Sequence, residues 1–211
     1  ARLNLVELPA HKSLVAVHFH DLVESVEANL TVLETDAVAS ELIDKILLDQ
    51  TVDSIEHAPS RRFLQGDPAA LLVVEFYADS EVELERKMDD LEARLDERGM
   101  GYAYVRAIDP ATQKAIWELR KAGLGLLMGM KGDPKPNPGV EDTCVPVDKL
   151  PDYVRSVVAL MQELGIEAEY YGHASVGLLH IRPIFSLKDP QGIALLRQIE
   201  ERMSEFFRRR L

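Results

Sequence analysis

The residues from Ala69 to Ala78, AALLVVEFYA, carry one charge in ten positions and are bounded by Pro68 and by Asp79 and Ser80. A short apolar run between turn-forming residues reads as a strand covered on both faces. The chain must therefore supply material for two layers around it. Residues 80–98 supply a helix, with Ser80 placed to cap it, Glu83 as the reciprocal partner, and Leu84, Met88, Leu91 and Leu95 along one stripe. Gly99 and Gly101 stop it, and 102–108 (YAYVRAI) alternates as a strand. Upstream, 13–20 (SLVAVHFH) also alternates, with Val15, Val17 and Phe19 on one face and Leu14, Ala16, His18 and His20 on the other. A helix over about 21–35 follows, capped by Asp21, with Leu22, Val23, Val26, Leu30 and Leu33 at helical spacing. The stretch 36–49 (DAVASELIDKILLD) stays open, since its apolar spacing suits a helix and its β-branched start suits a strand. A polar stretch from Gln50 to Pro68 separates it from the central strand.

The second half repeats the outline. Asp109 and Pro110 start a helix over 110–122, expected to end near Gly123. Between Gly123 and Gly139, five Gly and three Pro predict a long loop. Strands are then expected at 141–147, 166–171 and 178–185, and helices at 150–164 and 189–209. Two split βαβ units account for this order. The expected fold is α+β, with duplicated ferredoxin-like subdomains and an antiparallel sheet carrying helices on one face. The units fall at about 12–109 and 140–211, with the helix and Gly/Pro-rich loop of 110–139 between them.

Charge and composition narrow the function classes. A formal charge of −12 repels phosphate backbones, and Arg208, Arg209 and Arg210 form the one basic cluster, so nucleic acid is not an expected partner. The uncharged run Ala122 to Met130, like every other in the chain, is far short of the roughly 20 apolar residues of a membrane-spanning helix. A single cysteine, Cys144, forms no internal disulfide, and a small core role is expected for it in a reducing, cytoplasmic setting. The start, Ala1-Arg2-Leu3-Asn4, shows neither Met nor a signal peptide, which suggests an excised piece.

Two His in Gly172-His173-Ala174-Ser175-Val176-Gly177-Leu178-Leu179-His180 sit at the ends of successive strands joined by a Gly-containing turn. A hairpin can bring two imidazoles together, and imidazole nitrogens select a borderline cation such as Zn²⁺. Two His alone do not make a site, and on spacing alone polar strand residues are the commoner outcome. His18 and His20 could also chelate, but two residues on a solvated sheet face are the favoured reading. Arg120, at the end of a helix, can offer a bidentate fork to a carboxylate, although a surface salt bridge is the bland alternative. Lys131 and Lys135 add cationic character to the loop, where lysines are usually only solvated. Gly123-Leu124-Gly125 with Gly129 follows a helix and is no dinucleotide loop.

Three segments, WELRKAGLGLLMGMKGDPKPNPGVEDTCVP (117–146), YYGHASVGLLHIRP (170–183) and SLKDPQGIALLRQIEERM (186–203), resemble the C-terminal substrate domain of FAD-linked oxidases of the vanillyl-alcohol oxidase type. That group contains glycolate oxidase subunits, D-lactate dehydrogenases and D-2-hydroxyglutarate dehydrogenases, and the likeness is to large bacterial members joining an FAD part to an iron–sulfur part. It is weak in 1–60 and strong in 110–203. The resemblance implies that His173 and His180 hold a divalent metal, zinc for preference, beside a flavin. It implies a third ligand and a catalytic base in a Glu-His-Gly segment beyond Leu211. Arg120 then meets the substrate carboxylate, Lys131 or Lys135 replaces a Lys that some members carry where this chain has Val140, and Arg182 stands where relatives have Asn, which suits a dianionic substrate. The implied activity is oxidation of a D-2-hydroxy acid (lactate, glycolate or 2-hydroxyglutarate) by hydride transfer to FAD. FAD would be bound mainly by an upstream domain, with an iron–sulfur cluster downstream, so this segment alone would be inactive. The implied location is cytoplasmic, peripheral to the inner membrane if the electron acceptor lies there, and a homo-oligomer is compatible with it. A ferredoxin-like ligand-binding or oligomerisation module without catalysis is the alternative.

Overall fold

A computed structural model describes residues 7–210 except residue 53, and the side chains of Arg209 and Arg210 lie outside the description. The expectations drawn from Ala1 to Asn4, and those on Arg209 and Arg210, fall outside the described residues.

The first unit runs β1 (His11–Phe19), α1 (Leu22–Val32), β2 (Ala39–Asp44), β3 (Ala70–Ala78), α3 (Glu81–Glu97) and β4 (Ala103–Ala107), with a short α2 (Lys45–Gln50) following β2. After α4 (Pro110–Met128) and the two-residue β5 (Lys135–Pro136), the second unit runs β6 (Val140–Cys144), α5 (Leu150–Leu164), β7 (Glu167–His173), β8 (Leu178–Phe185) and α6 (Pro190–Arg210). The strands form one eight-stranded sheet in the order β4-β1-β3-β2-β7-β8-β5, with β6 also paired to β8. All pairings are antiparallel. The order 4-1-3-2 of the first unit is the ferredoxin-like split, and β6, β8 and β7 repeat three of its four strands. The halves join where β2 meets β7, with Leu42 opposite Gly172 and Ile43 opposite Tyr171.

The helices of the two units share one face, where α1, α3, α5 and α6 bury Val26, Met88, Val154 and Ile199 against Val17, Leu72 and Ile181. The other face carries a smaller core. Ile116 and Leu119 of α4, Leu47 and Leu48 of α2 and Phe63 of a 3-10 turn at Ala58–Phe63 cover Leu14, Ala16, Ile43, Leu71 and Val73. This second layer explains why β3 reads as apolar throughout.

Several local expectations change. The open stretch 36–49 resolves into strand and helix in direct succession, with Asp44 ending β2 and capping α2 through Leu47 N–H. The helix expected over 110–122 continues to Met128 and ends at Gly129. Gly123 lies inside it, packed so closely on α2 that a side chain there would collide with Leu47, whose Cδ1 lies 2.4 Å from the place a Cβ would take. His18 is fully buried rather than on a solvated face. Its Nδ1–H donates to Ala16 O (3.0 Å) and its Nε2 accepts from Gln65 N–H (3.2 Å), so no lone pair is left for chelation with His20, whose ring stacks on Tyr102. Burial holds the His18 pKa below the usual imidazole value. Cys144 is exposed at the end of β6 instead of lying in the core. Among the described residues, no helix is long and apolar enough to cross a membrane.

Candidate functional site

Period-two alternation puts Glu41 and Ile43 of β2, Glu169, Tyr171 and His173 of β7, and His180 and Arg182 of β8 on the sheet face that α4 partly covers. In the first unit most of this face is apolar and closed by the second core. In the second unit it is polar.

The turn between the histidines explains its own sequence. Gly172 has φ +150°, and a Cβ there would lie 2.6 Å from Leu178 O. Gly177 is left-handed at φ +73°, and a Cβ would lie 2.1 Å from Val145 O. Only glycine fits where β6 and β8 crowd the turn. The result brings the rings of His173 and His180 edge to face, with centroids 5.5 Å apart.

Each imidazole meets acidic groups from a different strand. His173 Nδ1–H donates to Glu41 Oε1 (2.7 Å). The other oxygen of Glu41 accepts from Arg120 Nε (3.2 Å) and Nη2 (3.0 Å). Arg120 also lies over the Tyr171 ring, 4.8 Å from its centroid. This is an ion pair largely shielded from water, 13% exposed on each side chain, rather than the surface bridge of the bland reading. Around His180, Nδ1 lies 2.6 Å from Asp142 Oδ1 and 3.9 Å from Glu141 Oε1. It is nevertheless buried without an aligned hydrogen bond. One ligand atom from each of Glu141, Asp142 and His180 falls within 4.8 Å of the others. Asp142 reaches this position through a β-bulge and a left-handed backbone (φ 59°).

Arg182 is buried beside this cluster, pairing with Glu141 through Nη2 and lying 3.9 Å from Met128 Sδ through Nη1. Opposite it in register is Glu169, fully buried, with both carboxylate oxygens and Arg182 Nε lacking hydrogen-bond partners. Burial first, and then the charge of Asp44, push the Glu169 pKa up to about 9. Asp44, which accepts from Leu47 N–H and Tyr170 N–H, is pushed by burial to about 7. The loop lysines stand apart. Lys135 lies opposite Phe185, five residues along β8 from His180, or roughly 16 Å at strand rise. Its Nζ–H donates to Met130 O. Lys131 is exposed just past the end of α4.

Sequence reasoning thus named Arg120, His173, His180 and Arg182, which the fold gathers on one face, and missed Glu41, Asp142 and Glu169. The two donor types around His180, imidazole nitrogen and carboxylate oxygen, together with its unpartnered Nδ1, fit a borderline divalent cation such as Zn²⁺.

Comparison with known proteins places the chain in a family. Residues 8–209 match the family described as FAD linked oxidases, C-terminal domain. The chain is 32% identical over 212 residues to D-2-hydroxyglutarate dehydrogenase of Escherichia coli K12, covering 95% of this chain and 21% of that protein. It is 28% identical to the protein of the same name from Haemophilus influenzae, covering 97% and 21%. The chain therefore spans about a fifth of the length of these curated relatives. Among solved structures, alkyldihydroxyacetonephosphate synthase has TM-score 0.54 at 12% identity, covering 92% of this chain and 40% of that one. The 4-ethylphenol oxidase of Gulosibacter chungangensis has TM-score 0.55 at 9% identity, covering 90% and 43%. These two likenesses concern the fold alone. The chain belongs to the FAD linked oxidases, as their C-terminal domain.

Proposed function

We propose that this chain is the substrate-binding and metal-contributing domain of an FAD-dependent oxidoreductase acting on a D-2-hydroxy acid, with 2-hydroxyglutarate favoured over lactate or glycolate. The observation that carries it is the convergence of two guanidinium groups and two imidazoles on the polar half of one sheet face. Family membership and the names of the relatives support the reaction class.

Arg120 holds the carboxylate next to the reacting carbon. Glu41 occupies Nε and Nη2, so the remaining N–H groups of the fork are available to the substrate. Arg182, beside His180, takes the second carboxylate of a dicarboxylic acid, which explains a buried cation at a position where a monocarboxylate needs none. Lys131, exposed three residues past Met128, would add a cation to that rim, whereas Lys135 is committed to Met130 O. His173 and His180, with Glu141 or Asp142, would hold a divalent metal that polarises the hydroxyl and carboxylate of the bound acid. FAD, bound mainly by another part of the protein, supplies the hydride acceptor, and an iron–sulfur centre elsewhere would pass electrons on.

The test uses the intact flavoprotein with a dye acceptor. Arg182→Asn is expected to lower kcat/KM for D-2-hydroxyglutarate tenfold or more relative to D-lactate, since a charge-assisted hydrogen bond contributes about 1.5–3 kcal/mol. An equal loss on both acids would remove Arg182 from substrate recognition. Lack of a flavin spectrum and of turnover with any D-2-hydroxy acid would leave the non-catalytic binding module as the function.

A further inference from the structure

Glu41 belongs to no motif, yet its side chain touches both halves of the proposed site. Oε2 accepts two hydrogen bonds from Arg120, and Oε1 accepts one from His173. We propose that Glu41 is a positioning residue, whose single carboxylate aims the substrate-binding guanidinium and sets the proton of a metal-binding imidazole. The proposal deepens the reading above and rests on its roles for Arg120 and His173.

A carboxylate oxygen facing Nδ1 can only accept, so in the neutral ring the hydrogen sits on Nδ1 and the lone pair on Nε2. A metal-bound histidine needs that division, and a carboxylate behind it raises the ligand's basicity and holds the ring plane. Arg120 is similarly restrained. Without Glu41 its guanidinium would keep only the ring face of Tyr171, which sets a height but not a rotation.

The backbone beneath Glu41 is fixed on both edges. β2 lies between β3 and β7, with Glu41 opposite Val73 and the adjacent Leu42 opposite Gly172. A carboxylate anchored in this way, and 13% exposed, holds its direction better than a surface glutamate screened by water. Glu41 comes from the first unit and His173 from the second, so the site is assembled across the join.

Glu41→Gln keeps the shape and removes the charge, and Glu41→Asp keeps the charge one methylene short. Both are compared with His173→Ala in the intact flavoprotein, measuring zinc affinity against a chromophoric chelator and KM separately from kcat. Glu41→Gln is expected to weaken zinc 10–100-fold and to raise KM for the hydroxy acid more than it lowers kcat, with Glu41→Asp recovering part of both. Zinc affinity and KM of Glu41→Gln within twofold of wild type, while His173→Ala has lost zinc, would overturn the proposal and leave the site reading intact. Zinc affinity unchanged in His173→Ala would instead overturn the metal reading, and the proposal with it.

Discussion

Asp142 is the one non-glycine among the described residues with positive φ, at 59°. Such a backbone costs an L-residue about 1–2 kcal/mol, less for Asp, whose short side chain can bond locally. Asp142→Gly is therefore expected to raise the melting temperature by about 2–4 °C, as about 1 kcal/mol does in a chain of this size, while weakening zinc binding. Calorimetry and chelator competition on the same samples check this; strain retained for function predicts that the two move in opposite directions. Glu169 makes a pH-dependent prediction. With its folded pKa near 9, the buried acid keeps its proton where the unfolded chain releases it. Its contribution is then fully present below about pH 4.5 and is lost as pH rises toward 9. Glu169→Gln cannot ionise, so its stability advantage over wild type should grow between pH 5.5 and 8.5, by up to about 1.4 kcal/mol per pH unit. Denaturant unfolding at three pH values measures this, and a constant difference would place the ionisation elsewhere.

At the level of elements, α4 shows a helix continuing through a residue that ordinarily weakens it. Gly123→Ala should gain up to about 1 kcal/mol in helix propensity but lose about 1–3 kcal/mol by driving a methyl into Leu47. Net destabilisation in denaturant titrations, smaller in a Leu47→Val background, is the expected outcome. The same contact explains why sequence reasoning ended this helix early: the residue that occupies the space beside Gly123 is 76 positions upstream. β2 was illegible for a related reason. Asp44 serves as last strand residue and helix cap together, so no turn residue separates two periodicities that blur into one. Glu41 sits inside that blur. The capped helix α3 was readable because each of its signals is local: Ser80 Oγ accepts from Glu83 N–H, and Leu84, Met88, Leu91 and Leu95 are its buried residues.

Across the whole molecule, the two units depend on a short seam. Besides the β2–β7 pairs, fully buried Asn29 of α1 donates from Nδ2 to Ala174 O (2.9 Å), immediately after His173, and accepts from Ser40 Oγ. Asn29→Ala leaves the buried Ser40 hydroxyl without its acceptor and Ala174 O with Gly177 N–H alone, and should cost about 1–3 kcal/mol, read as a lower denaturation midpoint. The duplication was legible because helices and strands recur in the same order. The assembly of one polar face from both copies was not, since it depends on which strand of each copy lies at the join. The second copy also differs from the first in its margin. Among the described residues three of the four strands of the pattern are present, and β6 pairs only with β8. An unpaired strand flank is a template on which other chains can add and grow into insoluble assemblies. The bulge between Val140 and Thr143, twisted by Asp142, breaks that template and places a charge on it. The same distortion that points a carboxylate at His180 thus keeps β6 from being a flat pairing edge, and a variant that straightened β6 would be expected to lose that carboxylate from the site.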